Sequence, residues 1–309
     1  MKIAFIFPGQ GAQYAGMGQD LYDRYPEARE VFDAADRALQ FPLSALCFSG
    51  PEETLKLTEN TQPAIFTVSV AACRVFQKKG LQPNFVAGHS LGEYSALVAA
   101  GALRFDDGVS LLRRRGRYMQ EAVPVGTGAM AALLGMDLSK VESICERAAQ
   151  GEVVSPANLN SDSQVVIAGH QGAVERAAAL AKEAGAKRAI MLPVSAPFHC
   201  ELLKPAEDRL SLDLDACSFV DPLCPVVTNV DAQPIATGAA ARDGLKRQVS
   251  RPVRWQQSVQ WMIGQGVDTF VEFGPGKVLS GLVRATDKSA RTFNVEDEKS
   301  LENAFSGLL

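Results

Sequence analysis

The sequence is poor in the features that identify several protein classes. It contains three histidines and six cysteines in 309 residues, and no two cysteines form a C-x-x-C pair, so we expect neither a metal site nor a dithiol redox centre. No apolar run approaches the ~18 residues of a membrane-spanning helix, and the apolar start breaks at Pro8-Gly9, unlike a signal peptide. The net charge of −4 gives no general attraction to nucleic acid or to an anionic membrane. We expect neither as a partner.

The composition is that of an ordinary globular protein. Hydrophobic residues make up 47% of the chain and charged residues 21%, which argues against disorder. A chain of 309 residues can hold one large domain or one domain with an insertion. Cys73 and Cys145 fall on apolar faces of predicted helices, where small core side chains are expected. Scattered thiols favour a reducing compartment, and we predict a cytoplasmic location.

Strands and helices alternate along the first part of the chain. In the second helix, Thr61 is expected to cap the N-terminus, with Pro63 in the first turn. Alternation of this kind predicts a parallel sheet covered by helices on both faces. The predicted elements are a strand at 3–7, helices at 27–39 and 61–79, a strand at 85–87 and a helix at about 107–119.

A separate unit interrupts this pattern in the middle of the chain. Residues 125–193 have the predicted order βαββαβ, which is that of a ferredoxin-like unit. We predict a small domain inserted into a larger α/β domain formed by residues 1–124 and 194–309. The predicted elements of the insertion are strands at 129–134, 153–157, 164–168 and 188–192 and helices at 138–149 and 172–184. After it we expect a helix following His199, a helix at 255–264, strands at 225–229, 269–273 and 292–295, and a C-terminal helix.

The segment Gly88-His89-Ser90-Leu91-Gly92 joins a predicted strand to a helix of about 93–100. Strand, G-x-S-x-G and helix together are typical of a nucleophile elbow, in which glycines flank a serine on a very tight turn. The turn leaves the N–H of Leu91 at a helix N-terminus, where it can bind a developing oxyanion. Ser90 is therefore the predicted nucleophile of a hydrolase-like α/β domain. The alternative is a glycine-rich connection in which Ser90 only caps the helix.

A serine nucleophile needs a base, and the chain offers three histidines. His89 neighbours Ser90, and because successive side chains diverge at a tight turn, it is expected to pack or to orient other groups. His170 ends a strand of the insertion and is expected to be an exposed turn residue. His199 lies where the chain returns to the large domain, within reach of a cleft, and is the predicted base. The alternative for His199 is a buried histidine with satisfied hydrogen bonds.

No acidic residue is clearly placed to orient His199. An α/β-hydrolase normally carries its Asp or Glu between the serine and the histidine, but the candidates here lie at predicted helix starts or in the insertion. A backbone carbonyl or an amide can fix the histidine tautomer without a charge, so the third member is open between these. The acids considered are Asp106, Asp107, Asp137 and Asp162.

Arginines are concentrated in the helix after the elbow helix, as Arg113-Arg114-Arg115-Gly116-Arg117. Because successive helical residues are about 100° apart, at least one of these side chains should point into the protein. A buried guanidinium can bind a carboxylate in a bidentate manner, which Arg does far better than Lys. The alternative is that all four arginines are solvated or pair with nearby acids, namely Asp106, Asp107 and Glu121.

Taken together and in this order, the motifs resemble those of the malonyl-CoA:acyl carrier protein transacylases of fatty acid synthesis and of the acyltransferase domains of polyketide synthases. The resemblance covers the whole chain. The matching residues are FPGQG at 7–11, QPA at 62–64, GHSLGEYSA at 88–96, RG at 115–116 with Met119-Gln120, AN at 157–158, PFH at 197–199, Gln248, PVRW at 252–255 and EFGPG at 272–276. The family fold, a hydrolase-like parallel-sheet domain with an inserted ferredoxin-like domain, agrees with the fold predicted above.

The resemblance implies a role for each matching catalytic residue. Ser90 would attack the malonyl thioester, and His199 would take and return the proton. A main-chain carbonyl at the position of Gln248 would orient the histidine. The N–H groups of Gln10 and Leu91 would form the oxyanion hole.

The resemblance also implies how the acyl group is recognised. Arg115 would bind the free carboxylate of malonate, which leaves Arg113 and Arg114 for the solvent side. A large residue at position 198 is similar to that of malonyl-selective members. The implied acyl pocket consists of Phe198, Met119 and Asn158.

The activity implied by the resemblance is ping-pong transfer of a malonyl group from malonyl-CoA to the phosphopantetheine thiol of acyl carrier protein. We expect no bound cofactor or metal, and a monomer is the default oligomeric state. The alternatives are a free-standing acyltransferase of a polyketide pathway, a serine thioesterase or hydrolase, and a scaffold without chemistry. Because carrier proteins of this type are acidic, a basic docking patch is expected. Candidates for it are Lys187 with Arg188, and Lys277 with Arg284.

Overall fold

The computed structural model describes residues 1–194 and 196–308. Ser195, in the predicted return to the large domain, and Leu309 lie outside the described residues. The strands are β1 (Ile3–Phe7), β2 (Phe85–Gly88), β3 (Gly128–Leu134), β4 (Val154–Ser161), β5 (Gln164–His170), β6 (Arg188–Met191), β7 (Val226–Val227), β8 (Pro234–Ile235), β9 (Thr269–Phe273) and β10 (Arg291–Val295). The helices are α1 (Gln19–Arg24), α2 (Pro26–Leu39), α3 (Leu43–Ser49), α4 (Glu52–Leu55), α5 (Thr58–Lys78), α6 (Gly92–Ala99), α7 (Phe105–Ala122), α8 (Leu138–Ala149), α9 (Gln171–Glu183), α10 (Lys204–Asp215), α11 (Gly238–Gln248), α12 (Trp255–Gly264), α13 (Val278–Thr286) and α14 (Glu298–Leu308).

The larger sheet has the strand order β10-β9-β1-β2-β7-β8. Its strands from β10 to β7 are parallel, whereas β8 is antiparallel to β7. Side chains of the central strand β1 alternate between two cores, with Phe5 and Phe7 on one face and Ala4 and Ile6 on the other. All four are fully buried. The predicted parallel sheet with both faces covered is confirmed.

The second sheet is antiparallel and has the order β4-β5-β3-β6. Strand β5 lies between β3 and β4, which is the split arrangement of a ferredoxin-like unit. Helices α8 and α9 pack on this sheet around a core that includes Val141, Cys145 and Ile167. The predicted fold class, a hydrolase-like α/β domain with a ferredoxin-like insertion, is confirmed. Division of the chain at 124/125 and 193/194 stays a prediction.

The small sheet is joined to the rest of the chain by a backbone bridge to the segment before α12. The N–H of Leu159 donates to the carbonyl of Val253 (2.9 Å), and the N–H of Val253 donates to the carbonyl of Ala157 (2.9 Å). Val253 thus forms a parallel bridge with Asn158 on β4, an edge strand of the small sheet. The position of Asn158 is therefore set by the small sheet and by the segment that precedes α12.

Helix α5 begins one turn earlier than the sequence predicts. It starts at Thr58, and the preceding residue provides no side-chain cap. Thr61 donates from Oγ1 to the carbonyl four positions earlier (3.1 Å), and Asn60 donates from Nδ2 to the carbonyl of Thr54 (2.8 Å). These bonds stabilise the additional turn, so that Pro63 lies inside the helix. The prediction of Thr61 as the N-cap was wrong.

Several elements were not predicted, namely α1, α3, α4, α11, α13 and β8. Helix α13 shows one physical reason. Its N–H groups at Leu279 (3.0 Å) and Ser280 (2.7 Å) donate to the carboxylate of Glu272 on β9. Because the capping group comes from a strand, the residues next to the helix start do not show the usual capping pattern. The predicted strand 225–229 was too long, since β7 ends at Val227 and Asn229 turns toward the elbow, where its N–H meets a buried carboxylate.

Two smaller expectations concern the core and membranes. Cys73 and Cys145 are buried in the large and small cores, respectively, as predicted. Across residues 1–194 and 196–308, no helix has the length and apolar character needed to cross a membrane.

Helices α5 and α7 approach each other closely at Gly116. A Cβ atom at this position would lie 2.5 Å from the carbonyl oxygen of Thr58 and 2.6 Å from Cα of Glu59. The close approach allows the neighbouring residue, Arg115, to donate to Oε1 of Gln62 on α5 at 2.7 Å. Glycine at 116 is therefore needed for the position of Arg115.

We expect Gly116→Ala to lower the midpoint of thermal unfolding, because overpacking of this kind costs about 1–3 kcal/mol. The matched control is Gly281→Ala in α13, where an added Cβ meets nothing within 4 Å. Replacing that helical glycine should stabilise the protein by about 0.5–1 kcal/mol. Differential scanning calorimetry of both variants measures the shifts. If both variants shifted the midpoint of unfolding in the same direction and by the same amount, the close approach of α5 and α7 at Gly116 would not restrict the side chain at that position.

Candidate active site

Ser90 lies on a strained turn at the carboxyl end of β2. Its φ is +54°, a conformation that is uncommon for non-glycine residues and clusters at functional sites. A Cβ at Gly88 would lie 1.9 Å from the carbonyl oxygen of Gly92, and a Cβ at Gly92 would lie 2.2 Å from the carbonyl oxygen of Phe7. Strand, turn and α6 pack this closely because neither flanking residue has a side chain. The turn has the geometry of a nucleophile elbow.

Asn229 holds this turn from the neighbouring strand. Its Oδ1 accepts the N–H of Ser90 (2.7 Å), and its Nδ2 donates to the carbonyl of Gly88 (2.6 Å). Asn229 is buried and was missed by the sequence analysis. One signal was available, since Asn229 follows a strand that lies beside β2, and polar residues beyond the carboxyl ends of parallel strands gather at binding sites.

A chain of hydrogen bonds runs from Ser90 through His199 to the main chain of Gln248. The Ser90 Oγ atom lies 2.7 Å from His199 Nε2, and His199 Nδ1 lies 2.9 Å from the Gln248 carbonyl oxygen. A carbonyl oxygen can only accept, so the ring proton is on Nδ1 and Nε2 accepts from the serine hydroxyl. His199 is buried and has a φ of +61°. The neutral tautomer is therefore fixed without an acid.

The surroundings of His199 favour its neutral form. Burial and, after it, the positive charge of Arg115 lower the pKa of His199 to about 3. The hydrogen bond to the Gln248 carbonyl acts in the opposite direction but does not outweigh them. At neutral pH the Nε2 lone pair is free to receive a proton.

Arg115 places a buried cation beside the same serine, with 1% of its surface exposed. Its Nη1 donates to Gln62 Oε1 (2.7 Å), and its Nη2 donates to Gln248 Oε1 (2.9 Å) and Ser90 Oγ (3.2 Å). These acceptors are all neutral, so within the described residues no carboxylate contacts the guanidinium. A buried cation without a counter-ion is unfavourable, and this arrangement fits a site for a ligand carboxylate.

The neighbouring arginines have other partners. Arg113 stacks 4.2 Å from the ring centre of Phe41, and Arg114 lies 3.3 Å from Asp213. Both are half-buried, with 41% of the Arg114 side chain exposed, so the expectation that they face solvent holds only in part; α7 is covered on this side by the loop before α3 and by α10. Two of the three acids considered as arginine partners pair elsewhere, Asp107 with Arg104 and Glu121 with Arg209.

A cavity of about 110 Å³ opens at Ser90. It brings the serine together with His199 and Arg115, whereas Gln248 lies behind them. The remaining lining residues are Gln10, Gln62, His89, Leu91, Met119, Met130, Asn158, Leu192, Val194 and Phe198. The residues suggested for the acyl pocket and the oxyanion hole thus all border one cavity.

Two backbone N–H groups in this wall are free. In the described part of the chain, neither the Leu91 nor the Gln10 amide donates to a protein acceptor. Leu91 directly precedes α6, and the Gln10 side chain is held by Thr58 Oγ1 (3.3 Å). Free N–H groups beside a serine nucleophile can stabilise an oxyanion.

The chain matches known proteins along almost its whole length. A family model described as an acyl transferase domain matches residues 4–302. The malonyl CoA-acyl carrier protein transacylase of Bacillus subtilis (strain 168) is 50% identical over 308 residues, which cover 99% of this chain and 97% of the relative. That of Escherichia coli (strain K12) is 54% identical over 284 residues, which cover 92% of each. The chain belongs to the malonyl CoA-acyl carrier protein transacylase family of acyl transferases.

Solved structures of this family have the same fold. The malonyl CoA-acyl carrier protein transacylase of Coxiella burnetii superposes with a TM-score of 0.97 at 45% identity, covering 99% of this chain and 97% of that one. A malonyl-transacylase solved in complex with a type II PKS acyl-carrier protein also has a TM-score of 0.97, at 46% identity over 99% of this chain and 100% of that one. The predicted family and the predicted acyltransferase are confirmed.

The other two histidines of this acyl transferase make structural hydrogen bonds. His89 Nε2 lies 2.9 Å from Asn160 Oδ1, and His170 Nδ1 accepts the N–H of Val153 (2.9 Å). His170 is half-buried at the end of β5, so its expected position in an exposed turn was wrong. Three of the four acids considered as a third member have partners away from His199, Asp107 with Arg104, Asp137 with Lys140 and Asp162 with Gln256.

Glu93 and Gln62 complete the site, although the sequence analysis gave neither a role. Glu93 Oε2 accepts the N–H of Asn229 (2.9 Å) and Nε2 of Gln248 (2.8 Å). Burial raises the pKa of Glu93 to about 7. One signal was available, because a carboxylate three residues after Ser90 falls in an otherwise apolar helix, and a buried charge in such a place needs a reason.

We expect His199→Ala to reduce acyl transfer by about 10²–10⁴-fold, since removing a general base has an effect of this size. His170→Ala is the matched control and should leave the rate unchanged, because its ring accepts the N–H of Val153 and does not line the cavity. The rate at which an acyl-CoA thioester acylates each purified variant, followed by mass spectrometry, measures both. A larger loss from the His170 change would contradict this assignment.

Proposed function

We propose that the chain transfers the malonyl group from malonyl-CoA to the phosphopantetheine thiol of acyl carrier protein through a malonyl ester of Ser90. The observation that carries the proposal is the single cavity in which a serine–histidine pair at 2.7 Å meets a buried arginine without a counter-ion. The names of the relatives support the same reaction. All residues involved are side chains or backbone groups of one chain, so the proposal requires neither a cofactor nor an oligomer. We further propose that the reaction takes place in the cytoplasm.

In the first half-reaction, His199 acts as the base. Its Nε2 takes the proton from the Ser90 hydroxyl while Oγ attacks the thioester carbonyl carbon. The negative charge that develops on the carbonyl oxygen is stabilised by the N–H groups of Leu91 and Gln10. When the tetrahedral intermediate collapses, the C–S bond breaks and CoA leaves as a thiol with the proton from Nε2. The malonyl group stays as an ester on Ser90.

The second half-reaction reverses these steps with a different thiol. His199 takes the proton from the phosphopantetheine thiol of the carrier, and the sulfur attacks the ester carbonyl. The same two N–H groups stabilise the oxyanion. Ser90 then leaves with the proton from Nε2, which restores the free enzyme. The reaction is ping-pong, since CoA departs before the carrier reacts.

Arg115 provides the preference for malonate. A malonyl group carries a free carboxylate that can pair with the guanidinium in a charge-assisted manner. An acetyl group would instead leave Arg115 buried and unpaired, which costs about 3–5 kcal/mol. Discrimination of roughly 10²–10³-fold is therefore available, most of it as a penalty against the wrong substrate.

A groove leads from the cavity to the surface and suits the pantetheine arm. It shares Gln10, His89, Asn158 and Leu192 with the cavity and is bordered by Val278 at the start of α13. Two basic pairs lie on the elements beside it, near β6 and on α13, and all four residues are exposed. We propose these pairs as docking residues for the acidic carrier. They are Lys187 with Arg188, and Lys277 with Arg284.

A second candidate concerns the pathway. We propose fatty acid synthesis, but the relative in complex with a type II PKS acyl-carrier protein favours a polyketide carrier as the alternative. The ratio of transfer rates to the two types of purified carrier decides between them. A serine thioesterase would need neither Arg115 nor a docking surface, and it would hydrolyse the ester instead of holding it for a thiol.

We expect Ser90→Ala to abolish the covalent adduct of malonyl mass that forms with malonyl-CoA, because no other hydroxyl contacts His199 Nε2 in the described residues. Intact-protein mass spectrometry with and without added carrier measures the adduct. Wild type should hold the adduct until a thiol arrives. An adduct on the variant, on Cys200 for example, would refute the nucleophile, and rapid loss of the wild-type adduct to water would favour the thioesterase.

We expect Arg115→Ala to lose malonyl transfer while keeping or gaining acetyl transfer, because Ser90 and His199 stay in place. The measurement is kcat/KM for malonyl-CoA and acetyl-CoA with a common carrier. The control is Arg113→Ala, since Arg113 lies on the Phe41 ring outside the cavity and should leave the ratio unchanged. An equal decrease for both substrates would make Arg115 a structural residue.

A further inference from the structure

The guanidinium of Arg115 is linked to the carboxyl group of Glu93 through an intervening amide. Gln248 Oε1 accepts from the guanidinium (2.9 Å), and Gln248 Nε2 donates to the carboxylate of Glu93 (2.8 Å). All three side chains are 1% exposed or less. The cation and the anion thus share one neutral group, and neither contacts the other directly.

This arrangement fixes which end of the Gln248 amide faces the arginine. The Nε2 end lies among acceptors, since it also donates to the carbonyl of Ser90 (3.0 Å), and the strongest of them is the carboxylate of Glu93. With Nε2 held there, Oε1 must face Arg115. A reversed amide would point N–H groups at a guanidinium and an oxygen at a carboxylate. Arg115 and Glu93 thus fix the amide from opposite ends, and removing the charge at position 93 removes one of these two constraints.

An indirect counter-ion also suits a site for a substrate carboxylate. If Glu93 contacted Arg115 directly, a malonyl carboxylate would have to displace it. The amide instead supplies an oxygen that orients the guanidinium and leaves its charge unpaired. The Nε atom of Arg115 has no partner among the described residues, so the guanidinium keeps donor capacity for a ligand.

We propose that Glu93 is a positioning residue for malonyl selectivity, acting through the Gln248 amide to hold Arg115 oriented and available for the substrate carboxylate. This inference rests on the proposed function. Glu93 contacts neither the cavity nor the reacting atoms; it acts on the part of the site that distinguishes malonyl from acetyl.

The test is Glu93→Gln, which keeps the size of the side chain and removes its charge, assayed above pH 7, where the wild-type carboxyl group is mainly ionised. We expect the ratio of kcat/KM for malonyl-CoA over acetyl-CoA to fall about tenfold or more, which is the scale of one hydrogen bond to a charged group. The loss should be mainly in KM for malonyl-CoA. Phosphonylation of Ser90 by a fluorophosphonate, which needs the serine and histidine but no carboxylate site, should be unchanged.

Glu272→Gln is the matched control. Glu272 is also a fully buried carboxylate, but it accepts the first N–H groups of α13, so its loss should affect stability and leave the malonyl-to-acetyl ratio as in wild type. If Glu93→Gln lowers both substrates and phosphonylation together, Glu93 is a structural residue and the proposal fails. An unchanged ratio would also overturn it.

A double-mutant cycle tests the route through the amide. Gln248→Met removes the side-chain amide but keeps the main-chain carbonyl that accepts from His199, and it should lower the ratio as Glu93→Gln does. If Glu93 acts through Gln248, adding Glu93→Gln to Gln248→Met has no further effect on the ratio; additive losses would refute the route. Should Glu93→Gln not fold, Gln248→Met alone decides, since a normal ratio in it excludes the mechanism. A wild type without malonyl preference would instead overturn the proposed function.

Discussion

Both halves of the site depend on Gln248, the last residue of α11. Its main-chain carbonyl accepts a hydrogen bond from Nδ1–H of His199, which fixes the tautomer that accepts from Ser90. Its side chain lies between Arg115 and Glu93 and also holds the carbonyl of Ser90. One buried residue therefore orients the base through its backbone and the carboxylate site through its side chain. A small shift at the end of α11 would disturb the chemistry and the selectivity together.

The reactivity of the site depends on a histidine and an arginine that have no negatively charged partner in direct contact. The histidine is oriented by a carbonyl dipole and not by an acid, and the arginine has only neutral acceptors. Buried groups in this state are unfavourable in the free protein, and the surrounding fold keeps them there. In the complex, the carboxylate of the substrate would pair with Arg115, and its oxyanion would accept from the N–H groups of Leu91 and Gln10.

Much of the fold and of the site could be predicted because the signals are local. Strands such as β9, the helices α8 and α12, the elbow at Ser90 and the inserted βαββαβ unit depend on periodicity and turn residues that lie side by side in the sequence. Contacts between distant segments could not be predicted. Glu93 and Asn229 are 136 positions apart when they meet, and Glu272 caps α13 from another strand, so no local pattern marks them. His199 was placed by elimination, whereas its partner Gln248 was found by resemblance alone.

The bridge between Val253 and Asn158 has a consequence for how the small sheet can exist. Strand β4 is at the edge of that sheet, and an uncovered edge is a template for pairing with other chains. Val253 occupies the backbone groups of Ala157 and Leu159 that would otherwise be open. Val253 thus covers part of this edge at the same point where it fixes the wall of the cavity, so a ferredoxin-like unit cut out of this chain would expose more of β4 and lose that wall in one step.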